Sequence, residues 1–433
     1  MPALDTTQVA APEAALPVDA ASTVSRAGPA RSRPLPHSPA RPSRHSTESP
    51  RFQEFAEEVF GHLPRADQRR WAAAYLRGLL TTPGKKSVRR LAAAVSSSPT
   101  ASHSLQQFLN ASPWDWAPVR AELAVLAGRR GPVRAWSVAT AVVPKRGEHS
   151  VGVHKSFIPA AGRVLNCQQG VGLFFLTAGE ALPVDWRLLL PKDWALDVQR
   201  RQRARIPPSV GHEPLSAYAL DLIDTATSAG PRPRPPIVAD LSGPGDCADA
   251  SALVNGLLAR GQAFVVTVPG SLPVVPMDGR RAGGGPASGA REFLRRCSLR
   301  HPATMTLSGR RGEPTLIRIA SGVVRLPPSS RWEAVGVQDT LRLFRAQDSA
   351  RIWATNLVHC GMDDLLGLAR LQSRTAHALG DMATDYGLLD FEGRSFPGWH
   401  HHMTLVSAAY AYGRLNAAPA PGGSSTDPMG TAA

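Results

Sequence analysis

Apolar residues recur at helical spacing from Phe52 onward. Phe52, Phe55, Val59, Phe60 and Leu63 form one stripe, and Trp71, Tyr75, Leu76 and Leu79 form a second after Pro64. Lys85–Val95 and Ala101–Leu109 predict two short amphipathic helices around a Ser/Pro/Thr turn at 96–100. From about 134 the period becomes that of strands. Val133–Val143, Ser150–Phe157 and Val164–Thr177 predict an antiparallel meander. Arg200, Arg201, Arg203 and Arg205 lie in a stretch that reads as a basic loop, followed by a helix near 214–229. Pro236–Asp240 then predicts a short buried strand ending in a carboxylate. Ala248–Arg260 predicts a helix and Ala263–Val268 a strand, completing a β-α-β unit. A Gly/Arg-rich stretch at 276–290 reads as mobile, and 314–356 as β-rich. Helices are expected over Met362–Asp385 and His400–Leu415.

These patterns divide the chain. Residues 1–50 are rich in Pro, Ala, Ser and Arg, lack apolar periodicity, and predict a disordered arm. With six Arg and one acid, Glu48, between Arg26 and Arg51, the arm reads either as a weak polyanion tether or as a solvated tail. A helical domain is expected over 51–130 and an α/β domain over 131–415, with an insertion at about 270–356. The tail, 416–433, is Ala/Pro/Gly/Ser-rich and expected to be disordered. Three strands, then strand-helix-strand, then a helix is the order of an RNase H-like α/β core, here with a β-rich insertion.

Charge adds a partner to this picture. The 433 residues hold 49 Lys+Arg against 34 Asp+Glu, a net charge of +15, and only five of the basic residues are Lys. Such an excess argues for a polyanion, and arginine's planar fork suits phosphate. Nucleic acid is therefore one reading of the charge and generic solubility or codon bias the other; the partner expected is double-stranded DNA, with a homodimer as the assembly. The two helices around 96–100 resemble a helix-turn-helix. The second would present Ser102, His103, Gln106 and Gln107 to base edges, while Lys85, Lys86, Arg89 and Arg90 would meet phosphates. Any helical hairpin gives the same pattern, so plain packing stays open. Arg200, Arg201, Arg203 and Arg205 are a second expected phosphate-binding group. No apolar run approaches 18 residues, so no membrane span is expected. Cys167, Cys247, Cys297 and Cys360 are scattered without a CxxC pair, which predicts buried thiols in a reducing cytoplasm and, with DNA as partner, a nucleoid-associated location.

Several ordered stretches carry a resemblance. They are Ser112-Pro113-Trp114-Asp115-Trp116, Pro144-Lys145-Arg146-Gly147-Glu148-His149-Ser150-Val151-Gly152-Val153, Asn166-Cys167-Gln168, and the run from Val184 to Trp194. Further on come Val238-Ala239-Asp240 and Asp390-Phe391-Glu392-Gly393-Arg394, continuing to His402. In these the chain resembles the DDE-type transposases of bacterial insertion sequences, also called DDE superfamily endonucleases, over about 52–415. The resemblance implies an RNase H-like domain in which three carboxylates hold two divalent ions for phosphoryl transfer. It also implies a first Asp in a pattern like Asp-Asp-Thr-Gly-Phe-Pro-Lys, where this chain reads Ala139-Thr140-Ala141-Val142-Val143-Pro144-Lys145. The second Asp corresponds to Asp240. The third, a Glu eleven residues before Gly387, falls on Ala376, with Asp381 and Asp385 the nearest carboxylates.

Asp240 is thus the one expected ligand present, and the expectation is a transposase-like DNA-binding protein without strand transfer, a domesticated regulator needing no cofactor. The alternative is an active transposase that recruits Asp381 or Asp385 and requires Mg²⁺. His400-His401-His402 cannot chelate one ion from one helix face, because adjacent residues point in different directions. A cluster at a helix start, touching core or phosphate, is expected instead. Asp390 and Glu392 are read as pinning a loop.

Overall fold

The computed structural model describes residues 49–158, 161–229, 234–241, 247–277, 286–300, 303–308, 314–327, 340–347 and 349–416. The expected basic arm up to 48, the centre of the Gly/Arg-rich stretch (278–285) and the tail from 417 lie outside the described residues.

Five helices lead: α1 (Pro50–Phe60), α2 (Ala66–Thr81), α3 (Val88–Val95), α4 (Ala101–Asn110) and α5 (Ala117–Arg129). α1 starts where Ser49 Oγ accepts the Phe52 N–H and Pro50 occupies a position that needs no donor. Its predicted stripe is buried throughout. The meander follows as β1 (Ala135–Pro144), β2 (His154–Ile158), β3 (Arg163–Leu176) and β4 (Ala181–Leu188). Next come α6 (Lys192–Leu196), α7 (Val198–Ala204) and α8 (Leu215–Ala229), then β5 (Ile237–Ala239), α9 (Cys247–Ala259) and β6 (Phe264–Val268). The chain continues through β7 (Pro273–Pro276), β8 (Ser288–Gly289), α10 (Ala290–Arg300), β9 (Ala303–Ser308), β10 (Pro314–Arg325), β11 (Leu341–Ala346) and β12 (Ile352–Thr355). It closes with α11 (Met362–Asp385) and α12 (Phe396–Asn416).

The strands join in one sheet ordered β2-β3-β1-β5-β6-β12-β11-β10-β7-β8, with β4 also on β3 and β9 on β10. β1 runs antiparallel to β3, and β5 and β6 run parallel to β1, which is the RNase H-like arrangement. β12 pairs antiparallel with β6, so strands following β6 in the chain extend the core sheet itself.

Besides β4, which the apolar pattern did not announce, three features differ from the sequence expectation. The basic stretch at 200–205 is not a loop: α7 forms there because Asp197 accepts the Arg200 N–H and Arg205 ends the helix in the left-handed region at φ 55°. α12 begins at Phe396 rather than His400, since Ser395 Oγ accepts the Gly398 N–H and Pro397 fits a first helical turn. Of the four free cysteines only Cys167 is buried; the others are half-exposed.

α12 is buried on nearly every side between Phe396 and Tyr412, and α2, α4 and α5 pack around it. The N-terminal helices therefore share one continuous hydrophobic core with the sheet. Glycines admit this close layer: a Cβ at Gly170 would come within 2.8 Å of Trp399, and one at Gly172 within 2.6 Å of Trp186. No helix among the described residues is long and apolar enough to cross a membrane.

Candidate functional site

Open α/β sheets bind ligands beyond the carboxyl ends of their parallel strands. At that edge β1 and β5 lie side by side, with Val138 paired to Ala239, so Ala139 and Asp240 are the next positions along. This is the expected adjacency. Asp240 Oδ1 accepts from Thr267 Oγ1 on β6 at 3.0 Å, and Oδ2 lies 2.7 Å from Nε of Arg351, which immediately precedes β12. The carboxylate side chain is 9 % exposed and the arginine 57 %. α11 crosses β6, β5 and β1, also as expected. On α11, Ala376 is exposed, while its neighbour Thr375 faces the interior. Asp381 lies 3.8 Å from Arg414 on α12, and Asp385 acts electrostatically on Lys86. Two ions about 3.5–4 Å apart need several carboxylates. Among the described residues no group of three His, Cys, Asp or Glu side chains could hold a metal ion. One carboxylate, a hydroxyl and a guanidinium do not fit that requirement.

The expected DNA-reading residues are distributed as follows. α3 and α4 form the helical hairpin; His103, Gln106 and Gln107 are exposed and Ser102 is half-buried. Lys85 is exposed, with Glu392 at 2.7 Å, and Arg89 and Arg90 are exposed, Arg90 donating to the Pro83 carbonyl at 2.8 Å. Lys86 corrects the expectation: it is only 5 % exposed, its Nζ donates to the Thr82 carbonyl, and its backbone N–H donates to Asp390 Oδ2 at 2.7 Å. It holds a loop and is turned away from any phosphate. Arg201 is a second correction, since its guanidinium donates to the carbonyls of Ala195, Val210 and Pro207 at 3.1, 2.9 and 2.6 Å. Arg200, Arg203 and Arg205 are exposed, with Arg200 3.5 Å from Asp197. Arg205 donates to Ser395 Oγ at 3.1 Å, and that hydroxyl donates to the Asn110 carbonyl at 3.4 Å. One serine thus brings the end of α7 beside the end of α4.

Residues 58–319, more than half of the chain, match the family model of the DDE superfamily endonucleases. The chain belongs to that family. No curated protein matches it. The family acts on DNA.

In this member of the family the three histidines are core ties. His400, His401 and His402 are all buried and fan out to different helices. His400 stacks on Trp116 at 4.5 Å, and its Nδ1 accepts from Arg120 at 3.1 Å. His401 stacks on Trp114 at 3.8 Å, with its ring nitrogens 2.8 and 2.9 Å from the carbonyl oxygens of Leu109 and Trp114. His402 Nδ1 lies 3.0 Å from the Tyr75 hydroxyl and Nε2 3.0 Å from the Gly387 carbonyl. Burial lowers the pKa of His401 to about 4, outweighing the two carbonyls, and that of His402 to about 3, so the rings are neutral. Arg120 anchors the same hub, donating to Asp185, Thr404 and the Trp186 carbonyl at 2.8, 2.8 and 2.9 Å. Burial pushes it down to about 10, far enough above neutrality that it stays charged. Burial alone would raise Asp185, yet Arg120 and Arg187 hold it below the usual carboxylate value.

A grouping that sequence reasoning missed joins Lys85 and Lys86 to two of the stretches that carry the resemblance. Lys145 Nζ donates to the Phe391 carbonyl and lies over the Phe391 ring at 5.4 Å. Burial lowers Lys145 to about 8, against the pull of Glu392 and Asp390. Asp390 also holds Lys86, and Glu392 pairs with Lys85. The loop-pinning role expected for Asp390 and Glu392 thus has named partners on the approach to α3.

Proposed function

We propose that this DDE-family protein binds double-stranded DNA without metal-dependent cleavage or strand transfer, acting as a domesticated, transposase-like regulator. The observation that carries the reading is the setting of Asp240: its carboxylate meets a hydroxyl and an arginine, while the adjacent register position carries the methyl group of Ala139. A methyl group cannot ligate, and a cation beside the surviving carboxylate competes with a metal ion for it. The alternative of relocated carboxylates is disfavoured, because Asp381 engages Arg414 and Asp385 acts on Lys86. DNA affinity would come from the exposed α4 face with Arg89, Arg200, Arg203 and Arg205, on the two segments that Ser395 links.

Two measurements test this. Duplex binding followed by fluorescence anisotropy should weaken steeply with salt, since each neutralised phosphate adds about −0.9 to the log–log slope. Incubation of supercoiled or linear DNA with Mg²⁺ or Mn²⁺ should give no nicking. Robust cleavage by the wild-type chain that Asp240→Ala abolishes would overturn the proposal in favour of an active transposase.

A further inference from the structure

The partner of Asp240 is the unexpected element at the carboxyl edge. Arg351 comes from the segment between β6 and α11, 111 positions further along the chain, and reaches the core because β12 pairs with β6 through Ile352 and Val268. That pairing is antiparallel, so the start of β12 stands beside the ends of β5 and β6. Rigid elements fix the arginine there. Trp353 is the cross-strand neighbour of Thr267 and stacks on Phe344 of β11 at 6.5 Å, and the Arg351 N–H donates to Ser349 Oγ at 3.2 Å.

The chemistry of the pair is asymmetric. Asp240 is almost buried and Arg351 mostly exposed. Nε is the nitrogen nearest the carboxylate, an ion-pair contact at 2.7 Å, and among the described residues the two terminal amino groups, like Nε, donate no hydrogen bond. A guanidinium held at Nε presents those two N–H groups as a preformed fork, the geometry that fits phosphate oxygens. A lone carboxylate at this edge would repel an anion, whereas the pair carries no net charge and offers donors.

Resting on the DNA-binding reading above, we infer that Arg351, oriented by Asp240, is a phosphate-binding residue that takes a backbone phosphodiester of duplex DNA at the carboxyl edge of the sheet without a metal ion. A cation from the insertion stands where the two-ion mechanism would place its metal charge. It can hold a phosphate, but it cannot activate water for attack.

The test is duplex binding by the full chain in EDTA, followed by anisotropy across a salt titration. Arg351→Ala should weaken binding about tenfold at low salt and remove about 0.9 from the salt slope. Because that variant also removes the cation beside Asp240, the double variant Arg351→Ala/Asp240→Asn is measured beside it and should show the same loss. Two results overturn the inference: Arg351→Ala binding within twofold of wild type with an unchanged slope, or a double variant restored to wild-type binding. A wild-type chain with no salt-dependent duplex binding would instead sink the DNA-binding reading itself, and the clamp with it.

Discussion

The histidine hub on α12 and the carboxyl edge at Asp240 both look chemical in the sequence, and the fold treats them oppositely. At the hub, three histidines and Arg120 lie inside the protein, with Asp185 half-buried beside them and ring nitrogens placed against Arg120 and particular carbonyls. At the edge, a nearly buried carboxylate meets a mostly exposed arginine. Burial of the cation decides the difference, Arg120 being 4 % exposed and Arg351 57 %. Ionisable groups sealed in the core are fixed by desolvation and serve stability, whereas groups at the edge stay within reach of a ligand.

The contrast is sharpest for Arg120. Arg120→Met leaves Asp185 with one cation fewer and takes a donor from Thr404, the Trp186 carbonyl and His400, and should cost about 3–5 kcal/mol in urea unfolding. A loss below about 1 kcal/mol would mean that the hub is no more committed than the edge.

Acid should attack the hub next. His401 and His402 have folded pKa values of about 4 and about 3, below the unfolded value near 6.5. The unfolded chain therefore binds more protons as pH falls, so the stability present above 6.5 is lost progressively toward 4 and below. At pH 5 the two groups together should cost about 4 kcal/mol relative to pH 7. His402→Gln should flatten the pH dependence of unfolding; an unchanged slope would show that His402 does not contribute to it.

At the edge the expected effects are smaller. Thr267→Val removes a hydroxyl donor to Asp240 and should cost about 0.5–1.5 kcal/mol, read from the same urea curves. A cost equal to that of Arg120→Met would erase the distinction between the two regions. Smallest in stability, and informative only for binding, is Arg203→Ala. It should leave the unfolding midpoint unchanged while reducing the salt slope of duplex binding by about 0.9. An unchanged slope would take α7 out of the interface.

Much of the architecture was legible because periodicity reports burial directly. The meander, the β5-α9-β6 unit and α11, whose limits Met362 and Asp385 coincide with the predicted ones, all follow from apolar spacing. β4 escaped because Pro183 interrupts a run that otherwise reads as a strand. α7 escaped because five of its seven residues are polar or charged, and the cue was Asp197 as its cap. At the site, Asp240 was visible as a carboxylate ending a strand, whereas Arg351 was not, since its partner is set by strand register between distant segments. Lys86 misled for a related reason. Beside Lys85 it reads as a surface cation, but Gly387, at φ 78°, lets the chain come so close that a Cβ there would lie 2.6 Å from the Lys86 side chain.

The central position of α12 also bears on how the chain comes to be folded. Tyr75 meets His402 across 327 residues of sequence, and Arg120 meets His400 across 280. The leading helices therefore leave the ribosome long before the helix that completes their packing. Contacts of such separation form slowly, because a long loop must close first. Until α12 arrives, the faces of Phe52, Tyr75 and Trp114 that meet Tyr412, His402 and His401 lack their partners, the kind of transiently open apolar surface that chaperones shield. A ribosome stalled before Phe396 would present the same surface with nothing to cover it.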